Sequence, residues 1–140
     1  MNYSRRDLSF LLPALAAAQS AAQSHALASR TYPFESFPVR AEGQNRFRAI
    51  LEGETHTGLP IELHMTELAP GQAPHPPHHH VHEEMVLMLE GILEVTVGNQ
   101  SARLGPGSVA FAASNENHGW HNVGTTRARY FVLAFGRDKA

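Results

Sequence analysis

From Arg46 onward, short β-favouring runs alternate with turn residues, and no apolar run at helical spacing is long enough to compete. The pattern predicts strands near 46–52, 59–68, 84–90, 92–98, 101–104, 108–112, 118–123 and 128–135. Gly53, Gly58-Leu59-Pro60, Pro70-Gly71, Gly91, Gly98-Asn99, Gly105-Pro106-Gly107 and Gly124 separate them. About eight strands in so short a span point to an all-β fold, a jelly-roll barrel. No internal repeat is present, so one barrel is expected. Alternate strand residues share a face. Val86 and Met88 should therefore follow Glu84 inward, and Trp120 should follow His118; these apolar residues are candidate pocket lining or core filler. Met85, Leu87 and Leu89 occupy the opposite face of the same strand. A strand apolar on both faces must be covered on both, and 128–135 makes the same demand.

The first 28 residues differ from the rest. Arg5-Arg6 precedes a mildly apolar, alanine-rich stretch from Leu11 to Ala22, and Ala26-Leu27-Ala28 offers a small-x-small cleavage pattern before Ser29. This resembles a twin-arginine export signal, which implies a periplasmic or secreted protein cleaved near Ala28. The plainer alternative is an amphipathic helix packed on the domain. The apolar stretch is short and carries Pro13, so a membrane anchor is not expected. Residues 1–28 are thus assigned to a signal peptide, 29–45 to an N-terminal arm with little regular structure, and 46–140 to the barrel.

With 140 residues the chain fits one domain, and 42% apolar residues suffice for a core. A net charge of −2 without a basic stripe excludes nucleic acid as an expected partner. The absence of cysteine removes disulfides, thiolate ligands and thiol nucleophiles. Against this background stand ten histidines, five of them between His75 and His82. Histidine is the commonest metal ligand.

In an extended segment His78 and His80 share a face, and Glu84 shares it too if the strand stays regular. His118, after the 114–117 turn, is the best candidate for a fourth ligand. A local bulge would exchange Glu84 for Glu83. His82 has the parity of a substitute ligand or of a partner to the ligands. His75, His79 and His121 are expected at the surface, and His56 and His64 at the surface or in ordinary packing. Such nitrogen and oxygen donors suit one divalent transition metal ion (manganese, iron, nickel, copper or zinc) over calcium or magnesium.

Gly71-x6-His78-x-His80-x3-Glu84-x6-Gly91 resembles the first motif of the cupin family, one residue longer between the glycine and the first histidine than the usual form. Gly107-x5-Ala113-x-Asn115-x2-His118-x3-Asn122 is similar to the second motif, with Ala113 and Asn115 where proline and glycine are usual. Asparagine tolerates the left-handed conformation such a turn needs. The resemblance covers roughly residues 60–135. It implies a double-stranded β-helix and a metal held by His78, His80, Glu84 and His118.

Small cupins include dioxygenases, isomerases and decarboxylases, so the resemblance implies a metal-dependent enzyme acting on a small molecule, leaning to dioxygenase-like chemistry. Glu84 and His82 are the candidate proton-handling residues, with Glu83 nearby. The alternative is a non-catalytic module that binds or senses a metal or small ligand on the same barrel. Cupins often dimerise through apolar sheets, and the outer faces of 85–89 and 128–135 would suit a homodimer. Tyr32, Phe34 and Phe37 of the arm could instead cover one of them.

Overall fold

The computed structural model describes residues 26–137. Nine strands occur among them: β1 (Arg40–Glu42), β2 (Asn45–Glu54), β3 (Pro60–Leu68), β4 (Glu83–Glu90), β5 (Leu93–Val97), β6 (Gln100–Leu104), β7 (Val109–Ala112), β8 (His118–Asn122) and β9 (Ala128–Phe135). They form two antiparallel sheets, one ordered β1-β2-β3-β9-β4-β7 and one ordered β6-β5-β8. The fold is all-β, a jelly-roll barrel. The paired arginines and the alanine-rich stretch lie outside the described residues.

The core fills the space between the sheets. Leu68, Val86, Met88, Leu93, Val95, Trp120, Ala128, Tyr130 and Val132 form one buried cluster, drawn from the inward positions that period-2 alternation assigns. Val86 pairs with Val132 across the β4–β9 ladder, and Met88 with Tyr130, so the inner face of the large sheet is set in rows.

Two features depart from the expected pattern. The arm is more ordered than its composition suggests. Gly43, at φ 59, makes a tight reversal that lays β1 antiparallel on β2, with Arg40 opposite Phe47. Ahead of it, Phe34–Ser36 forms a single 3-10 turn. The second departure lies within the segment assigned to export. Ala26 bridges to Glu54, the Leu27 amide donates to the Glu54 carbonyl at 2.8 Å, and the Leu27 side chain rests on Gly53.

The arm covers part of the outer face of the large sheet. Phe34 lies under the guanidinium of Arg48 at 4.7 Å and near that of Arg129 at 5.9 Å. Arg48 in turn meets the buried Glu67 carboxylate at 3.3 Å. Further along the same sheet the cover ends. Leu89, Val109 and Phe111 are 39%, 52% and 46% exposed.

Candidate metal centre

The histidine-rich segment, residues 71–82, is a loop stitched along β8. The Gly71 amide donates to the Asn122 carbonyl, and the Asn122 amide to the Gln72 carbonyl, both at 2.9 Å. Further on, His78 and His118 exchange both backbone hydrogen bonds, at 3.0 and 2.9 Å. Gly119 permits this approach, because a Cβ there would stand 3.1 Å from Pro77. At the far end of the loop, Asn115 adopts the left-handed conformation (φ 61) and its amide donates to the His80 carbonyl at 2.7 Å.

These contacts bring His78, His80 and His118 together, with one ring nitrogen of each within 4.8 Å of the others, an arrangement that can hold a metal ion. Strand alternation is not what aligns the first two, since β4 begins only at Glu83. The loop does it. Glu84 enters from β4, buried, with Oε2 at 2.9 Å from His118 Nε2 and 3.5 Å from His80 Nε2. The register of β4 is unbroken from Glu83 to Met88, and its irregularity falls between Met88 and Glu90. No bulge therefore exchanges Glu83 for Glu84.

Hydrogen bonds on the far side of two rings fix which nitrogen is available. His80 Nδ1 faces the His82 carbonyl at 2.8 Å, and His118 Nδ1 faces the Glu116 carbonyl at 2.9 Å. A carbonyl only accepts, so each Nδ1 carries the hydrogen and each Nε2 keeps its lone pair. The His118 lone pair then faces an acceptor-only carboxylate oxygen at 2.9 Å. Two acceptors at that separation require a proton or a metal ion between them. The buried Nδ1 of His78 also has no hydrogen-bond partner among the described residues. Burial first, then the neighbouring imidazoles His75, His118 and His80, lower the His78 pKa below the ordinary histidine value. That favours the neutral, ligating form. The donor set fits a transition metal ion.

His82 supports this cluster without entering it. Its ring stacks on that of His80 at 3.6 Å. His79 and His121 are exposed, as is His56. His75 is exposed too, yet its ring meets that of His78 edge-on at 4.2 Å.

Beside the cluster, and sharing Glu84 with it, lies a cavity of about 210 Å³, whose lining includes Phe47, His64, Thr66, Glu84, Trp120 and Tyr130. Of the three pocket candidates only Trp120 lines it. Val86 and Met88 sit deeper, in the core cluster. The Trp120 indole N–H donates to the Tyr130 hydroxyl at 2.8 Å. Burial drives the Tyr130 pKa up, so the phenol stays protonated. His64, expected at the surface or in ordinary packing, lines the cavity, as do Phe47, Thr66 and Tyr130, which the sequence did not single out. The signal was present, since 62, 64, 66 and 68 share one face of β3. A larger groove, about 590 Å³, lies between the β5–β6 hairpin and β7, but Glu116 is the one titratable residue in its lining.

The comparisons with known proteins agree with this architecture. The family model described as a cupin domain matches residues 64–134. The chain belongs to the cupin family. No curated protein matches this cupin at a significant level. Among solved structures it is similar to KdgF from Halomonas sp., at 16% identity and TM-score 0.66, over 79% of this chain and 97% of that one. It is also similar to the polyketide cyclase RemF from Streptomyces resistomycificus, at 18% identity and TM-score 0.64, over 81% and 83%. A third neighbour is a predicted oxalate decarboxylase from Thermotoga maritima, at 15% identity and TM-score 0.63, over 77% and 100%. At these identities the likeness concerns the fold.

Proposed function

We propose that this cupin is a small metal-dependent enzyme whose single divalent transition metal ion is held by His78, His80, Glu84 and His118. One observation carries the reading. Three imidazoles converge within 4.8 Å, and the Glu84 carboxylate, which also lines an aromatic-walled cavity, lies against two of them. An ion there supplies Lewis acidity toward a carbonyl or enolate, a lowered pKa for bound water, or an anchor for dioxygen. The chain supplies the rest. Trp120 and Tyr130 form a fixed, protonated wall, and Phe47 gives an apolar face. His82 steadies the His80 ring by stacking and by its carbonyl.

The cavity limits the substrate. Drug-sized ligands occupy roughly 300–1,000 Å³, so about 210 Å³ suits an open-chain or single-ring molecule. Dioxygenase-, isomerase- and decarboxylase-type reactions all meet this description, and the neighbours named as a cyclase and a decarboxylase support an enzyme. The test begins with elemental analysis of protein purified without chelator or affinity metal. Turnover by the loaded protein is then measured on 1,3-diketones, catechols and flavonols. We expect turnover of the first two classes over the tricyclic third. A loaded protein that turns over nothing would leave the non-catalytic binding module.

Export by the twin-arginine route and a homodimer belong to the same proposal. The paired arginines support the first. The outer apolar surface of β4 and β7, left bare by the arm at Leu89, Val109 and Phe111, supports the second.

A further inference from the structure

The proposed metal centre needs a group that takes a proton, and the ligands cannot serve while they hold the ion. His64 stands apart from them on β3, lining the same cavity as Glu84, Trp120 and Tyr130. Its side chain is 18% exposed. Its ring leans on Phe47, centroids 4.6 Å apart, and Phe47 is capped by the Arg40 guanidinium at 4.7 Å. His64 Nδ1 lies 3.1 Å from Glu62 Oε1. An ionised carboxylate only accepts, so Nδ1 carries the hydrogen and the lone pair resides on Nε2. Among the described residues no group bonds that Nε2.

We infer that His64, oriented by Glu62, is the general base of this cavity, a role that rests on the metal-centre reading above. The step is a simple proton transfer. An acidic O–H or C–H bond of the ligand breaks, an N–H bond forms at Nε2, and the bonding pair remains on the ligand as phenolate or enolate. His64 becomes an imidazolium facing the Glu62 carboxylate. Its partial exposure lets the proton pass on to water. Burial lowers the His64 pKa, against a smaller raising effect of Glu62, so the ring is neutral and ready near pH 7. The charged and titratable groups around it are Glu62 on β3, Glu84 on β4, Tyr130 on β9, His75 in the loop, Glu42 on β1, Arg46 on β2 and Arg40 beyond Phe47. Glu62 acts through His64 and is a positioning residue.

Nitrogen-15 NMR of the full chain tests the orientation without needing metal or substrate. The wild type should show His64 protonated at Nδ1 and bare at Nε2. Glu62→Ala should lose that preference. Glu62→Gln, whose side-chain carbonyl still accepts, should keep the tautomer while lowering the His64 pKa further. A wild-type His64 protonated at Nε2 overturns the inference. The proton transfer is tested with zinc-loaded protein and 4-nitrocatechol, whose colour reports ionisation of its hydroxyls. Bound to wild type, the probe should ionise fully at a proton concentration at least about tenfold higher than when bound to His64→Gln. Equal profiles, or no ionisation by the wild type, overturn the inference. Elemental analysis of both proteins keeps this result separate from the metal-centre reading, which fails only if the zinc itself is not held.

Discussion

Asn122 is fully buried, and its side chain makes three hydrogen bonds at once. Nδ2 donates to the Leu68 carbonyl at 3.0 Å and the Thr126 carbonyl at 2.8 Å, and Oδ1 accepts from the Gly124 amide at 2.9 Å. It thereby ties the end of β8, which carries His118 and Trp120, to the end of β3 and the turn before β9. Asn122→Ala strips all three bonds and leaves three backbone groups without partners. Each such loss costs about 1–3 kcal/mol, and because the bonds share one side chain the low end applies. The expected destabilisation is about 3 kcal/mol, roughly two powers of ten in the folding equilibrium. Urea unfolding, followed by the fluorescence of the single tryptophan, Trp120, reads it directly. The midpoint should fall with an unchanged slope. Asn122→Asp sharpens the test. It keeps the acceptor for Gly124 but turns a second oxygen toward two carbonyls, so it should be at least as damaging as alanine. An alanine variant within about 1 kcal/mol of wild type, or an aspartate variant as stable as wild type, would refute the argument.

His80→Ala should sharply reduce metal content by elemental analysis, while His79→Ala should leave it unchanged; equal content in both would sink the ligand assignment. Changing both Arg5 and Arg6 to lysine should leave unprocessed precursor inside the cell, and normal processing would count against the twin-arginine route. Light scattering on the 29–140 fragment should give the mass of a dimer, whereas a single-chain mass unchanged by dilution would mean that the arm is cover enough. In metal-free protein the lowered pKa values of His64 and His78 set the sign of the pH response. The folded chain binds fewer protons than the unfolded one below 6.5, so stability is full above that value and declines as acid is added. Urea midpoints that rise between about pH 7.5 and about pH 5.5 would contradict it.

Much of the barrel was legible because its turns are marked by glycine and proline and its strands by alternation. The histidine cluster was legible for a different reason. The motif spacing singles out His78, His80, Glu84 and His118, and the fold brings their side chains together even though the first two sit in a loop and not in a strand. Parity assigns a residue to a face but says nothing of its depth. Glu84, Val86 and Met88 all point inward, yet Glu84 reaches the cavity while the other two meet the packed core between the sheets. Tertiary pairing decides that, and no local pattern carries it. His64 was readable from the alternation along β3, but an isolated histidine with no motif around it carries only the default expectation of surface exposure or ordinary packing. The strand β1 was hidden because three residues, Arg40–Glu42, are too few to show a period.

The paired backbone of His78 and His118 bears on how quickly an ion could leave. Because the main chains hold each other from both sides, swinging a side chain outward does not separate the two elements. Release would have to wait for the loop to peel from β8, breaking this bridge and the Gly71 and Gln72 bonds to Asn122 with it. The dissociation rate would then track the amide hydrogen exchange of His78 and His118 and rise steeply with temperature. An ion seated there would be retained by a slow mechanical opening as much as by the strength of its ligands.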